Sequence, residues 1–228
     1  MSAAVAHEPL TRSVEDYLKA IYQLSPEGRP ASTSEIANLL ALSPPSVTGM
    51  VKRLSEHGLL EHVPYRGVQL TDAGRRAALR MVRRHRLIEA YLVEFLGYSW
   101  DTVHEEAERL EHAVSETMIE RMAGALGNPS VDPHGDPIPA ADGSILERAC
   151  IALSDVPIGE NVEISRVHES QPERLRYIAS LGLRPGVQVT VVDRQPFDDL
   201  VTIEVGTDKQ VIGRELGHAL LCARKVKP

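Results

Sequence analysis

The spacing of apolar residues predicts that the chain begins with an amphipathic helix. Between Ser13 and Leu24 the apolar side chains recur every three to four positions, which is the period of a helix buried along one face. Pro26 and Gly28 follow directly and end the pattern, because neither residue favours the interior of a helix. We therefore expect the first helix to span about Ser13 to Leu24.

The next segment predicts a helix-turn-helix followed by a β-hairpin. Thr33 or Ser34 is expected to cap a short helix in TSEIANLLAL, and a second helix is expected in PPSVTGMVKRLSEHG, where proline suits the first turn and Gly58 the end. The segment LLEHVPYRGVQLT predicts two short strands around a turn, and Thr71 is expected to cap the long helix after them. A helix-turn-helix with such a wing is typical of DNA-binding domains.

The remainder of the chain predicts a helical body and a β-rich end. One helix is expected from about Asp101 to Leu126, and the stretch NPSVDPHGDPIPAADG after it predicts an irregular boundary. Short alternating runs such as NVEISRV and VQVTVVDR, with a brief helix at PERLRYIAS, predict a small β-barrel of SH3-like size. The expected fold is α+β and multi-domain, with a winged helix-turn-helix at residues 1–76, a helical domain at 77–146 and the SH3-like barrel at 147–228.

The charge is distributed unevenly between the two ends of the chain. The net charge of the 228 residues is −7, which alone argues against nucleic acid. Residues 1–85, however, carry 11 Lys and Arg against 8 Asp and Glu, a balance of +3, which leaves 14 against 24, or −10, for the remainder. The 2 Cys form no paired motif, and neither a leader peptide nor an apolar run of membrane-spanning length is evident. We expect a soluble cytoplasmic protein with no membrane partner.

The second helix of the helix-turn-helix is expected to enter the major groove of DNA through its N-terminal residues. None of these residues is Arg, Asn or Gln, so we expect recognition through thymine methyl groups and DNA shape. Basic residues further along this helix and on the wing are expected to hold phosphates. The alternative is that the head only pairs proteins. The candidate DNA contacts are Ser43, Pro45, Ser46, Thr48, Gly49, Lys52, Arg53 and Arg66.

Histidines and carboxylates at helical spacing predict a metal site. Four of them share one face of the expected second body helix, about a quarter-turn wide; they are His104, Glu108, Glu111 and His112. Taken alone, an acidic helix face is more often simply solvated. Two further features favour a metal: His85 and Glu89 lie at i and i+4 on the preceding helix, and Asp16 lies beside apolar residues of the first helix. Helical hairpins bring such pairs together in carboxylate metal sites.

Together these motifs resemble the diphtheria toxin repressor family of iron- and manganese-dependent regulators. The matching segments are SVEDYLKAIYQL, the helix-turn-helix, VRRHRLIEAYL, VHEEAERLEH, DPHGDPIP and LGLRPG, and they cover nearly the whole chain. The resemblance implies a homodimer that binds palindromic operator DNA when a divalent metal is bound. It implies a primary metal site of Asp16, Glu108, Glu111 and His112, and an ancillary site of His85, Glu89 and His104 that Glu169 and Gln171 of the barrel complete.

The ligand types favour manganese as the activating metal. The iron-sensing branch of this family has Met at the position of Asp16 and Cys at the position of Glu108, whereas the manganese branch has the same Asp and Glu as this chain. Hard carboxylates suit Mn(II) better than thioether or thiolate sulfur does. Short manganese-type members carry an acid at the position of Lys19, so we expect two separated sites here. We expect a Mn(II)-dependent regulator that mainly represses, with Fe(II) as the alternative activator.

The resemblance also implies how the metal acts. Asp16 lies on the DNA-binding head, and the other primary ligands lie on the body, so one metal ion is expected to tie the two together. Repulsion among the carboxylates is expected to keep the site loose until the cation binds.

The residues alone leave two other classes of function open. A metal-dependent hydrolase would also cluster histidines and carboxylates, but H-E-x-x-H and similar open-site motifs are absent from the sequence, so we expect no enzyme. A winged-helix sensor of a small organic ligand would leave the clusters as surface ion pairs.

Several residues are expected to be structural. Cys150 and Cys222 are expected in the core, and Trp100 with the apolar stripe from Leu87 to Leu96 is expected to pack in a dimer interface. The solitary histidines are expected at the surface or in turns; they are His57, His62, His134, His168 and His218.

Overall fold

The computed structural model describes residues 10–195, 197 and 199–224. The first residues of the chain, where we expect no leader peptide, lie outside these ranges. The outer ends of the first and last predicted domains lie outside them as well. The chain divides into two compact units, one of residues 1–84 and 139–144 and the other of residues 85–138 and 145–228. Among the helices of the described residues, none is long and apolar enough to cross a membrane.

The helices and strands follow one another as the sequence predicts, except that two short elements are added and one predicted helix is divided in two. In chain order they are α1 (Arg12–Leu24), α2 (Thr33–Leu39), α3 (Pro44–Glu56), β1 (Leu60–Val63), β2 (Gly67–Leu70), α4 (Asp72–Leu96), α5 (Val103–Leu110), α6 (Glu116–Ala125), β3 (Ile151–Ala152), β4 (Asn161–Val167), α7 (Pro172–Ser180), β5 (Gln188–Arg194), β6 (Val201–Val205), β7 (Asp208–Ile212), α8 (Arg214–Ala219) and β8 (Leu220–Arg224). The two additions are β3 and α8, which are too short to give a recognisable period.

The first unit is a winged helix-turn-helix. Helices α1, α2 and α3 enclose a core that includes Leu18, Ile36 and Leu54, each nearly or fully buried. Strands β1 and β2 pair antiparallel to form the wing. Gly67 starts β2 with a φ of +120°, and a Cβ there would lie 2.1 Å from the carbonyl oxygen of Ala31, so only glycine fits. The predicted head and wing are confirmed.

The cap of α2 differs from the expectation. Ser32, rather than Thr33 or Ser34, is the N-cap residue, and its Oγ accepts the backbone N–H of Glu35 at 3.2 Å. The Glu35 carboxylate accepts the backbone N–H of Ser32 at 2.8 Å, which completes a capping box. The hydrogen bonds from the Ser32 backbone and side chain, and the nearby Arg29, lower the pKa of Glu35 from 4.5 to about 2. The contribution of ionised Glu35 to the stability of the fold is thus present above pH 4.5 and is lost as the pH falls towards 2.

The helical part of the second unit contains a break that the sequence analysis missed. The expected single helix from Asp101 to Leu126 is wrong, because α5 ends at Leu110 and α6 begins at Glu116. Ser115 caps α6 by accepting the backbone N–H of Met118 at 3.3 Å. A polar residue at this position competes for the backbone and favours a new helix start over continuation. The second half of α4, together with α5 and α6, surrounds a core that includes Leu87, Ile88, Val103 and Ile119.

The C-terminal part of the second unit is a six-stranded antiparallel sheet of the SH3-like type, in the strand order β3-β8-β4-β5-β6-β7. Cys222 lies in its core as expected, and burial together with Cys150 raises the pKa of Cys222 to about 12, whereas Cys150 itself is only partly buried. Trp100 is buried in this same core, so the expectation that it packs in a dimer interface is wrong. Phe95 and Leu96 at the end of α4 do remain exposed.

Replacing Ser32 with Ala is expected to reduce the free energy of unfolding by about 1 kcal/mol, because the first-turn amides of α2 lose their cap. Thr33→Ala is the matched control and is expected to change it little, since Thr33 is not the cap. Urea unfolding of the full chain, followed by hydrogen exchange at the α2 amides, measures both variants. Equal losses for the two variants would contradict the assignment of the cap.

Candidate functional site

The residues expected to contact DNA lie on the open side of α3 and on the wing. Val47, Val51 and Leu54 of α3 face the core, and the intervening candidate residues are exposed. The exposed set is Ser43, Pro45, Ser46, Thr48, Gly49, Lys52, Arg53 and Arg66. The Thr48 hydroxyl donates to the carbonyl of Pro44 at 2.9 Å, so its proton is already engaged within the helix. The start of α3 therefore presents a surface of small side chains, which suits recognition of DNA shape and of thymine methyl groups.

Three donor atoms of the predicted ancillary set form a compact triangle in the second unit. His85 and Glu89 lie one turn apart on α4, and His104 lies on α5, which packs beside it. His85 Nε2 and His104 Nδ1 lie 2.9 and 3.0 Å from Glu89 Oε1, and the two nitrogens are 3.0 Å apart. His85 and Glu89 are buried, which fixes their side chains by packing.

The donor types of this triangle suit a divalent cation. The separations themselves are hydrogen-bond distances among the three side chains. Two imidazoles and a carboxylate are donors that first-row divalent metals accept, so the residues present fit such an ion.

His85 also touches the predicted primary set. Its Nδ1 lies 2.6 Å from Glu111 Oε2, and Glu111 is completely buried. Glu108, whose side chain is 41% exposed, approaches His85 and His104 at 3.8 and 3.7 Å. His112 Nε2 lies 3.5 Å from the other oxygen of Glu111. Within the second unit, the ancillary ligand His85 therefore contacts the predicted primary ligands Glu108 and Glu111.

The electrostatics of Glu89 reflect its histidine neighbours. Burial alone would raise the pKa of this carboxyl, but the charge of His85 and the hydrogen bonds from His104 and His85 outweigh burial and hold the pKa below its usual value. Glu89 is thus an anion in a buried setting, and it depends on positively charged or proton-donating partners to stay there.

A second cluster around Glu89 was not predicted. Glu89, Asp132 and His134 are all buried and place potential ligand atoms within 4.8 Å of one another. His134 lies in a turn, as expected, but it is buried in this cluster, so the expectation that it is solitary is wrong. The histidines His57, His62, His168 and His218 are exposed. Burial and the charges of Asp136 and Glu89 raise the pKa of Asp132 well above its ordinary value, and Arg86 opposes that rise.

Hydrogen bonds from the backbone to the Asp132 side chain hold the loop that carries Asp132 and His134. Asp132 Oδ1 accepts the backbone N–H groups of His134 and Asp136 at 2.8 and 3.0 Å. Gly135 has a φ of +87°, and a Cβ there would lie 2.0 Å from the carbonyl oxygen of Ser165 on β4. The D-x-H-G spacing inside DPHGDPIP is the sequence feature that could have indicated an ordered, ligand-bearing loop.

The two predicted ligands in the C-terminal domain make other contacts. Glu169 accepts the backbone N–H groups of Ser170 and Gln171, each at 2.9 Å, and its second oxygen lies 3.1 Å from Arg174. Gln171 is the exposed N-cap of α7. Among the described residues, Glu169 does not join the clusters of histidines and carboxylates that could hold a metal. Asp16 lies on α1 in the first unit.

Comparisons with known proteins define the class of this chain. Three family models match in succession: the N-terminal DNA-binding domain of iron-dependent repressors at residues 9–68, the metal-binding and dimerisation domain of iron-dependent repressors at residues 71–140, and the FeoA domain at residues 151–224. With the helix-turn-helix and the buried histidine and carboxylate clusters, these matches define a metal-dependent DNA-binding transcriptional repressor.

The chain belongs to the iron-dependent repressor family, which confirms the resemblance inferred from its motifs. It is 33% identical over 223 residues to the iron-dependent repressor IdeR of Mycobacterium leprae, covering 92% of this chain and 96% of that relative. It is 30% identical over 221 residues to the diphtheria toxin repressor of Corynebacterium glutamicum, with the same coverage of 92% and 96%.

Solved structures of similar proteins include transcriptional regulators with different metals bound. A manganese-dependent transcriptional repressor in complex with manganese matches with a TM-score of 0.87 and 37% identity, over 93% of this chain and 100% of that chain. The structure of ScaR with bound Zn²⁺ matches with a TM-score of 0.81 and 33% identity, over 93% of this chain and 99% of that chain.

Replacing Glu89 with Gln is expected to weaken Mn(II) binding by at least about tenfold, because Glu89 contributes to both clusters of the second unit. Glu94→Gln, on the exposed side of the same helix, is the matched control and is expected to bind as the unchanged chain does. Equilibrium dialysis of the full chain measures the number of bound ions and their affinity. Equal binding by the two variants would exclude Glu89 as a ligand.

Proposed function

We propose that this chain is a Mn(II)-activated repressor that binds palindromic operator DNA as a homodimer in the cytoplasm, with Fe(II) as the alternative activator. The observation that carries the proposal is the pair Asp16 and Glu108, two carboxylates at the positions where the iron-sensing branch has Met and Cys. Oxygen ligands suit Mn(II) better than sulfur does. The likeness to a manganese-dependent repressor in complex with manganese supports the same choice, and the likeness to iron-dependent repressors keeps Fe(II) as the alternative.

The proposed ligand sets follow the family resemblance. The primary set is Asp16, Glu108, Glu111 and His112, and the ancillary set is His85, Glu89, His104, Glu169 and Gln171. We add Asp132 and His134 as further candidates beside Glu89, because all three are buried and converge. The proposed domains are residues 1–76, 77–146 and 147–228, and the three family matches at 9–68, 71–140 and 151–224 are compatible with them.

The proposed switch depends on carboxylate repulsion. Glu108 and Glu111 lie close together at the end of α5, and their negative charges disfavour a closed site. A divalent cation supplies the compensating charge. Asp16 contributes its carboxylate from the DNA-binding head, so the occupied site would restrain the head and fix the spacing of the two recognition helices. Linkage then requires operator DNA to tighten cation binding by the same factor by which the cation tightens DNA binding.

The proposed DNA contacts divide into two groups. The short side chains at the start of α3, from Ser43 to Gly49, would approach base edges, and Lys52, Arg53 and the wing residue Arg66 would hold phosphates. Phe95 and Leu96, which are exposed in the described part of the chain, are proposed to contribute to the dimer interface.

Operator binding by the unchanged chain is expected to require Mn(II) and to be lost when a chelator is added. The variant Glu108→Ala is expected to need a far higher metal concentration for the same binding, because a primary ligand is missing. Glu105→Ala removes a 69%-exposed carboxylate from the same helix and is the matched control, expected to behave as the unchanged chain does. Fluorescence anisotropy with a labelled operator fragment measures binding with Mn(II), Fe(II) under anaerobic conditions, Zn(II) and chelator. DNA binding that chelator leaves intact would overturn the proposed function.

The double variant Asp16→Met with Glu108→Cys is expected to shift the preferred activator from Mn(II) towards Fe(II), since sulfur ligands replace hard oxygen. The measurement compares the concentrations of each metal needed for half-maximal operator binding. The control is the pair Glu15→Gln with Glu105→Gln, which changes neighbouring acids. An unchanged metal preference in the double variant would remove the argument for manganese.

A further inference from the structure

Trp100 makes two contacts with His134. The carbonyl oxygen of Trp100 accepts a hydrogen bond from His134 Nε2 at 2.7 Å. The two rings also stack, with centroids 5.4 Å apart and planes inclined by 25°. Both residues are 5% exposed, so neither ring has room to reorient without disturbing its neighbours.

These contacts determine which nitrogen of His134 faces the buried carboxylates. A carbonyl oxygen only accepts, so His134 Nε2 must carry the proton that this bond requires. The other nitrogen, Nδ1, lies 3.9 Å from Glu89 Oε2. Histidines that bind metals are commonly oriented in this way, with one nitrogen donating to a carbonyl and the other directed at the ligand site.

Trp100 is at the same time part of the C-terminal sheet's core. It belongs to the cluster formed by the apolar residues of the strands and of α7. The guanidinium of Arg184, in the turn between α7 and β5, lies 4.6 Å from the centre of the Trp100 ring, a cation–π distance. The next residue, Asp101, pairs with Arg176 of α7 at 3.1 Å. The loop of His134 is tied to the sheet as well, because Val167 of β4 donates to the carbonyl of His134 at 2.8 Å.

We propose that Trp100 is a positioning residue for His134, and that through Trp100 and Arg184 the C-terminal sheet supports cation binding by Glu89, Asp132 and His134. The inference rests on the proposed function in one respect, since it takes these three residues to bind a divalent cation. It gives the sheet a role that is separate from donating Glu169 and Gln171 as ligands.

The chain offers its own reporter for this proposal, because Trp100 is its single tryptophan. Mn(II) binding beside the stacked His134 changes the fluorescence of Trp100, and His134→Gln abolishes that change. Equilibrium dialysis on the same samples counts the bound ions, so the optical signal is matched to occupancy.

Variants of Trp100 separate positioning from packing. Trp100→Leu removes the ring and is expected to weaken Mn(II) binding by about tenfold, the lower end of the range for groups that orient a ligand. Trp100→Phe keeps an aromatic ring and is expected to stay within about twofold of the unchanged chain. Ile178→Ala, in the same core and fully buried, is the matched control for lost packing and is expected to leave Mn(II) affinity unchanged.

Arg184→Gln gives a test that does not disturb the core, since Arg184 is exposed. Loss of its cation–π contact is expected to weaken Mn(II) binding by about threefold. Arg214→Gln, which removes another exposed arginine of the same sheet region, is the control and is expected to have no effect.

The outcomes distinguish the inference from the proposed function. If the unchanged chain binds no divalent cation in dialysis, the proposed function fails. If it binds Mn(II) but Trp100→Leu and Arg184→Gln bind equally well, the positioning role is wrong and the function stands. If Ile178→Ala weakens binding as much as Trp100→Leu does, the effect is one of packing and the proposal is overturned. Should Trp100→Leu fail to fold, the comparison of Arg184→Gln with Arg214→Gln decides.

Discussion

The buried carboxylate of Glu89 is the interaction on which the second unit depends. An ionised carboxylate that is removed from water costs several kcal/mol unless donors surround it. Here His85 from the same helix and His104 from α5 lie within hydrogen-bond distance of Glu89 Oε1, and His134 Nδ1, from the loop before the sheet, faces Oε2 at 3.9 Å. The packing of α4 on α5 is therefore coupled to keeping this one charge satisfied.

The position of His85 extends this dependence to the predicted primary ligands. Its ring has two nitrogens, one within the Glu89 triangle and one at 2.6 Å from the fully buried Glu111. An imidazole that meets a carboxylate on each side cannot change its protonation or orientation for one partner without affecting the other. One ancillary ligand thus contacts one primary ligand directly, which couples the second-unit members of the two proposed sites without a large movement within the body.

The amino-acid sequence was sufficient for the parts of the fold that have a strong period. The i, i+4 pair His85 and Glu89 on α4, the helix face that carries His104 on α5, and the alternating strands follow from local geometry, whereas the grouping of His85, Glu89 and His104 into one site required the family resemblance. Three features depend on tertiary contacts and could not be derived in this way. The break before Ser115 is set by a cap, the burial of His134 by a loop that folds back on β4, and the burial of Trp100 by a sheet more than fifty residues away in the sequence.

The donor types in the second unit limit where metal selectivity can arise. Two imidazole nitrogens and one carboxylate oxygen form a borderline set that Mn(II), Fe(II) and Zn(II) all accept, and nitrogen donors generally favour the later metals of the series. These three donors therefore do not separate manganese from iron, and discrimination between the two metals must depend on residues outside the triangle. Asp16 and Glu108 are the positions at which this chain has oxygen ligands where the iron-sensing branch has sulfur, so we expect the preference for Mn(II) over Fe(II) to depend on these two carboxylates.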